Sequence, residues 1–296
     1  MQPFWPRRSP HFLACRRAVR PFDGPAVIGL SGGPDSLALA AAAAAEGKDA
    51  TCVVVDHGLQ DGSADVAERA AGAARGFGLA AEVVRVEIGK GNVEAAARSA
   101  RYEALLAYGR DVWVAHTADD QAETLILGAL RGNPSGMAPR AGRVVRPFLG
   151  VRRADTVSAC EELGLAPWHD PMNADPAFRR VAVRTQVVPL LSELLGGDAV
   201  PALAATAGRI AADHALIASL ADLSPATSCE ELARDAGPVR RRRLAAWLLG
   251  EGVPVQGDQL DAVEALVVDW HGQGPVAVAG GRAVVRKGGH LSLVGR

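Results

Sequence analysis

Ala26-Val27-Ile28-Gly29-Leu30-Ser31-Gly32-Gly33-Pro34-Asp35-Ser36-Leu37 is the stretch that decides the fold. An apolar run of strand length, 26–30, enters a glycine loop, and an Ala/Leu-rich segment over 37–46 follows as a helix. In an open parallel sheet, ligands bind beyond the carboxyl ends of the strands. Two glycines let the backbone approach an anion closely, and the next helix adds its N-terminal partial positive charge. The hydroxyls of Ser31 and Ser36 can donate to phosphate oxygens. Asp35 would repel a phosphate unless a Mg2+ ion bridged the two. Two better-known phosphate loops do not fit. The P-loop needs Gly-Lys followed by Ser or Thr, whereas Gly47-Lys48 precedes Asp49 and Gly89-Lys90 precedes Gly91. The Gly-x-Gly-x-x-Gly dinucleotide pattern is absent from this loop. A helix cap with a glycine turn would account for Ser-Gly-Gly alone. Ser-Gly-Gly-x-Asp-Ser between a strand and an alanine-rich helix points to a nucleotide site.

The alternation continues downstream. Strands are predicted over 51–55, 81–88 and 112–115, and helices over 64–77, 92–108 and 119–130, with Asn92 as an N-cap. Repeated β–α units with apolar strands predict an α/β fold on a parallel sheet covered on both faces. After Arg131 the pattern weakens into a loop rich in Gly, Pro and Arg that runs to Pro147. Helices are expected over 155–164 and 182–195, then helices broken by Pro and Gly over 196–252. A helix over 258–270 and short strands at 276–279, 283–286 and 291–294 end the chain, with turns at Gly280-Gly281 and Gly288-Gly289. The expected division is an α/β domain over 1–195 and a smaller α+β C-terminal domain over 196–296.

A length of 296 residues suits about two domains. With 49% apolar and 22% charged residues, a disordered chain is excluded. The 32 basic and 33 acidic residues leave a formal charge of −1, which argues against coating nucleic acid through bulk charge. Local clusters remain. Arg131, Arg140, Arg143, Arg146, Arg152 and Arg153 fall in a stretch without Asp or Glu, Arg179, Arg180 and Arg184 follow, and Arg240-Arg241-Arg242-Arg243 opens a later helix. Such clusters beside a nucleotide site predict an RNA backbone footprint. Lysine occurs only at Lys48, Lys90 and Lys287, a bias that coding composition or the bidentate grip of Arg on phosphate would produce. Cys15, Cys52, Cys160 and Cys229 form no Cys-x-x-Cys pair, which removes support for a zinc knuckle, an iron–sulfur cluster or a thioredoxin-like centre. The first residues, Met1 to Arg8, lack the apolar core of a signal peptide. The longest apolar run, 37–45, is far below the roughly 20 residues that span a bilayer. A cytoplasmic protein with no membrane partner is expected.

Ser31-Gly32-Gly33-Pro34-Asp35-Ser36 resembles the signature of the PP-loop ATP pyrophosphatases. Further segments resemble one branch, the tRNA(Ile)-lysidine synthetases. They are Val55-Asp56-His57-Gly58-Leu59 after the second strand, Gly91-Asn92-x-Glu94-x-x-x-Arg98-x-x-Arg101-Tyr102-x-x-Leu105, and Ala115-His116-Thr117-Ala118-Asp119-Asp120-Gln121-x-Glu123-Thr124 after the fourth. Arg131-Gly132, Gly136-Met137, Arg146-Pro147, Trp168, Asp170-Pro171, Asn173, Phe178, Arg180, Arg184 and Pro189 follow in the same order. The likeness covers 24–195 well and 274–294 more loosely. Gln60, Asn133-Pro134-Ser135 and Val181 depart from the pattern.

The resemblance implies an enzyme that joins lysine to C2 of the wobble cytidine of tRNA(Ile) with a CAU anticodon, through an adenylated cytidine. ATP and Mg2+ are its implied cofactors. The nucleotide would sit on Ser31, Gly32, Gly33, Pro34, Asp35, Ser36 and His57, with Asp35 on the metal. Catalytic candidates are Asp35, Asp56, His116, Asp119, Asp120 and Glu123. Among them Asp119, Asp120 and Glu123 are candidates for lysine recognition, and Asp56 or His116 for proton transfer or metal organisation. Asn92, Glu94, Arg98, Arg101, Arg131, Arg180 and Arg184 are candidate substrate and tRNA contacts, and 196–296 a helical linker with a small tRNA-binding domain. Taken without the resemblance, Asp119, Asp120 and Glu123 also suit the N-terminal dipole of a plain helix. Glu94, Arg98 and Arg101 also suit an ordinary charge ladder. The partners are tRNA(Ile) and L-lysine, and a homodimer is compatible with the sequence. The alternatives are a PP-loop tRNA 2-thiolation enzyme, which the missing cysteine pair disfavours, another adenylating ligase, and an ATP-binding regulatory module.

Overall fold

The computed structural model describes residues 5–6, 8–58, 62–86, 93–170 and 175–295, without the side chains of 93–95. The chain divides into two compact units, Met1–Thr124 with Gly136–Gly208, and Leu125–Ser135 with Arg209–Arg296. The boundary expected at 195/196 is therefore displaced. Residues 196–208 go with the first unit, and a segment from its middle goes with the second.

The first unit begins with α1 (Pro10–Val19), β1 (Ala26–Gly29), α2 (Pro34–Ala45), β2 (Ala50–Asp56), α3 (Ser63–Gly76) and β3 (Ala80–Arg85). It continues with α4 (Val93–Leu106), β4 (Asp111–Trp113), α5 (Ala118–Ala129), β5 (Arg140–Ala141), β6 (Val144–Val145) and α6 (Arg153–Glu162). α7 (Arg179–Ala182) passes through a π turn, Val183–Val187, into α8 (Val188–Leu195), and α9 (Val200–Leu220) follows, with its residues from Arg209 on counted in the second unit. The sheet order is β3-β2-β1-β4-β6-β5. β1 is parallel to β2 on one side and to β4 on the other. The order thus reverses between β1 and β4, which opens a crevice at their carboxyl ends.

Alternate strand residues face two cores. Ile28, Cys52, Val54, Trp113 and Val145 pack with α1, α2, α3 and α6, while Val27, Val53 and Val112 pack on Leu105 of α4. The run of alanines in α2, buried from Ala40 to Ala43, lets that helix lie close on the sheet. Two features depart from the sequence expectation. β3 is a largely exposed edge rather than a strand covered on both faces. The loop after Arg131 contains a hairpin in which β6 pairs parallel to β4 and β5 pairs antiparallel to β6. Strands two residues long leave no alternation to read. α1 was not expected either. Its first turn is capped from α6, where Glu162 accepts from the backbone N–H of Phe12 at 2.9 Å and of His11 at 3.4 Å.

The second unit holds α10 (Cys229–Arg234), α11 (Gly237–Gly250), α12 (Gly257–Val268) and the antiparallel strands β7 (Val276–Val278), β8 (Arg282–Lys287) and β9 (His290–Gly295). Leu232, Leu244, Leu248, Val263, Leu266 and Val284 form its core. The four-arginine run is spent largely inside this unit instead of forming a free basic face. Arg240 pairs with Glu264 at 2.8 Å, and Arg241 pairs with Asp261 and Glu264. Arg243 is buried, donates to the Ser224 carbonyl at 3.0 Å and to Asp235 at 2.9 Å, and pairs with Glu231. Arg242 donates to His214 and the Pro238 carbonyl. Arg286 likewise turns inward, onto the last carbonyls of α12 and the ring of Trp270.

Arg243→Ala removes a buried guanidinium and leaves the partly buried Asp235 without this partner, so it should cost about 1–3 kcal/mol in urea denaturation. Arg242→Ala should cost less than about 1 kcal/mol. Equal losses would show that the buried network carries no special weight.

Candidate active site

The crevice between β1 and β4 is a cavity of about 200 Å3 lined by Gly29, Leu30 and Ser31 beyond β1, Val114, Ala115 and His116 beyond β4, Asp35 and Ser36 of α2, Arg101, Tyr102 and Leu105 of α4, and Asp120 of α5. The loop over it is organised by its own hydroxyls. The Ser31 backbone N–H donates to Ser36 Oγ at 3.1 Å, and Ser36 Oγ donates to the Gly33 carbonyl at 3.0 Å. The Trp168 N–H fixes the Gly32 carbonyl at 2.9 Å. Gly32 has φ +81, and a Cβ there would stand 3.2 Å from Ala70 Cβ, so the turn requires glycine. Asp35 accepts from the hydroxyl of Thr156, which is fully buried in α6. Burial raises the Asp35 pKa, against the pull of Thr156 and Arg153.

The opposite wall is basic. The guanidinium carbons of Arg98 and Arg101 lie 5.1 and 5.7 Å from the Tyr102 ring centre. Neither has a carboxylate partner among the described residues. His116 faces this wall, and its Nδ1 is buried without a hydrogen-bond partner among the described residues. Burial, with Arg146, Arg98 and Arg101 nearby, lowers its pKa from 6.5 to about 4 against the pull of Asp120, so the ring is neutral at neutral pH.

The carboxylates of α5 are matched by arginines. Asp119 accepts from Arg152 Nε at 3.1 Å and from the Arg153 backbone N–H at 2.8 Å. Burial pushes Asp119 up, and these donors bring it below its ordinary value. Asp120 accepts from the Thr117 N–H and hydroxyl, both at 2.8 Å, and from Arg153 at 2.8 Å. Burial opposes its charge too, and Arg153 leads the groups that hold its pKa down. Glu123 is only 1% exposed and accepts from Arg153 at 3.1 Å and Arg184 at 2.8 Å, with Arg180 3.9 Å away. Beside this network lies a second cavity of about 210 Å3, lined by Asp119, Glu123, Arg152, Arg184, Val188, Pro189, Ser192, Asp198 and Val200. One pocket has an anion-cradling loop, and the other mixes carboxylates, guanidiniums and an apolar floor.

A family profile described as the PP-loop domain matches residues 17–191. The tRNA(Ile)-lysidine synthase of Corynebacterium diphtheriae is 52% identical over 99% of this chain and 100% of its own length. The chain belongs to the tRNA(Ile)-lysidine synthase family. The family's member from Corynebacterium glutamicum is 50% identical over 97% of this chain and 96% of its own. Among solved structures, the U34-tRNA thiolase NcsA from Methanococcus maripaludis aligns with a TM-score of 0.55 at 15% identity, covering 67% of this chain and 80% of that one. That likeness is one of fold.

The structure gathers Ser31, Asp35, Ser36, Arg101, His116 and Asp120 around the first cavity, and Asp119, Glu123 and Arg184 around the second. Arg98 stands behind Tyr102. Asp56 and His57 line neither cavity. Asp56 instead accepts from the Gly58 N–H at 2.9 Å, which leads the causes that lower its pKa. Arg131 lies in the second unit, Asn92 lies outside the described residues, and so does the side chain of Glu94. Arg152 and Arg153, grouped by sequence with an RNA footprint, turn onto carboxylates instead. They had a sequence signal, because basic residues are out of place at a helix N-terminus unless something else holds them. Thr156 and Asp198 had none.

In unfolded chains His116 takes up a proton near pH 6.5, whereas in the fold it does so near pH 4. Its contribution to stability is therefore complete above about pH 6.5 and is lost as pH falls toward about 4. The melting temperature of His116→Asn should fall less than that of the wild type between pH 7 and 4.5. An equal fall would contradict a buried neutral ring.

Proposed function

We propose that this chain transfers the adenylyl group of ATP to O2 of the wobble cytidine in tRNA(Ile) bearing a CAU anticodon, and that lysine then displaces AMP at C2 to form lysidine. One observation carries the reading: an anion cradle and an acidic, arginine-lined pocket adjoin across the N-terminus of α5. Adenylation needs the first, and an amine nucleophile with a carboxylate of its own needs the second.

The N–H groups of the glycine loop, the hydroxyls of Ser31 and Ser36 and the N-terminus of α2 bind the ATP phosphates. Asp35 is suited to Mg2+. It is a carboxylate beside two hydroxyls, with Asp120 on the same cavity, and no group of three metal-ligating side chains occurs among the described residues. That is the donor set of an ion that takes its other ligands from phosphates and water. Bound there, Mg2+ would neutralise charge on the phosphates. Arg101, half-buried on the cavity wall and without an acid partner among the described residues, faces an anion of the nucleotide or of the tRNA backbone. Lysine occupies the second cavity, with its carboxylate toward Arg152 and Arg184 and its ammonium toward Asp119, Glu123 and Asp198. The ammonium must lose a proton before attack, and the neutral imidazole of His116, on the nucleotide-side cavity with Asp120, is our candidate acceptor. The cytidine must leave its stack for C2 to be reached. Thiolation draws no support, since all four cysteines are buried and unpaired, and burial pushes Cys15, Cys52 and Cys160 up to about 12.

Incubation with ATP, labelled lysine and an unmodified CAU-anticodon tRNA(Ile) transcript should put label into the tRNA, and unlabelled tRNA would sink the reading. Asp35→Ala should abolish diphosphate release with the fold intact, measured by circular dichroism. Arg101→Ala should raise the KM for ATP or tRNA by about tenfold or more. Unchanged KM values for both would remove Arg101 from the site.

A further inference from the structure

Arg153 is the first residue of α6, and its contacts reach both cavities. Its Nη2 donates to Asp120 at 2.8 Å, and its Nε stands 3.6 Å from Asp35. Both carboxylates line the nucleotide-side cavity. Its Nη1 donates to Glu123 at 3.1 Å, and its backbone N–H donates to Asp119 at 2.8 Å. Those two line the other cavity. One residue therefore grips two carboxylates from each pocket and lines neither.

Neighbouring groups act on one side only. Arg184 reaches Glu123, and Arg152 reaches Asp119 and Asp198. Thr156, one turn along α6, reaches Asp35. A guanidinium suits the shared position because it offers five donors in a rigid planar fork. An ammonium on a flexible stem cannot reproduce three directed contacts at once. Local helix energetics do not explain the residue, since a cation at a helix N-terminus opposes the dipole.

We propose that Arg153 is a positioning residue that sets the nucleotide pocket and the amine pocket in one register, so that the activated base meets the amine at attack distance. This rests on reading the second cavity as the lysine site. Arg153 touches neither substrate and acts through the four carboxylates that do the binding. A loss of register is felt on both sides and in the step that joins them.

The test measures KM for ATP, KM for lysine and kcat for lysine transfer to the tRNA transcript, in the full chain and in Arg153→Lys, Arg153→Gln, Thr156→Val and Arg184→Lys. Melting temperatures are recorded alongside. The expected pattern is a rise of about tenfold or more in both KM values and a fall in kcat for the Arg153 variants. Thr156→Val should change the KM for ATP alone, and Arg184→Lys the KM for lysine alone. General destabilisation would not sort the substrates in this way. If one Arg153 variant is unfolded at the assay temperature, the other decides. A folded Arg153 variant with a wild-type KM for either substrate would overturn the proposal. A wild type that transfers no lysine would overturn the proposed reaction instead. Equilibrium dialysis with ATP and with lysine would then read the two pockets separately, and Arg153→Lys must weaken both.

Discussion

A carboxylate with 1% of its surface exposed has to be matched by positive charge, and at Glu123 that requirement draws three helices together. α5 carries the carboxylate, α6 sends Arg153, and the helix through the π turn sends Arg184. Removing either arginine would leave the buried carboxylate with one direct partner instead of two. Ala159 and Cys160 pack α6 into the apolar core, and the ion network ties its first turn to α5, with Thr156 against Asp35. The loop that cradles phosphate is thus held from behind by the same helix that holds the acidic pocket.

The fold was legible where the controlling interactions are local. β1, its glycine loop and α2 could be read because their period, composition and turn chemistry fall within a dozen residues. The three C-terminal strands could be read for the same reason, since paired glycines separate them. The misses share a different cause. α1 is capped by Glu162, the β5–β6 hairpin is too short to show alternation, and Arg152 and Arg153 find their partners about thirty residues back in α5. In the candidate site, Ser31, Ser36, Asp35, His116 and Asp120 gather around one cavity because each follows a strand end on the same rim. Asp56 and His57 lie past a strand end too, but outside both cavities, because the Gly58 amide folds Asp56 back on its own turn. Position on the rim is readable, but the direction of a side chain is not.

The near-zero formal charge acquires a physical meaning from these pairings. Arginines that appear in sequence as basic runs are largely consumed inside their own units, on Glu264, Asp261, Glu231 and Asp235 in one and on Asp119, Asp120 and Glu123 in the other. Arg98 and Arg101 are different: they stack on a tyrosine beside a cavity, with no acid paired to them among the described residues. The sign of a cluster matters less than whether its counter-charges lie within the fold. Two guanidiniums stacked on a tyrosine at a cavity wall mark an anion site more clearly than four arginines in a row.

The cap on α1 also sets a timetable. Its first turn is completed by a carboxylate 150 residues further along the chain, and β1 lies beside β4, which is also made late. At roughly 5–20 residues per second, a ribosome needs on the order of ten seconds to deliver Glu162 after Phe12 has emerged. Through that interval Phe12, Cys15 and Val19 have no α6 to pack against, and the nucleotide loop has no Thr156 behind it. The amino terminus of this protein is synthesised first but completed only when α6 emerges, so a nascent chain halted before α6 carries its phosphate signature without Thr156 behind the loop.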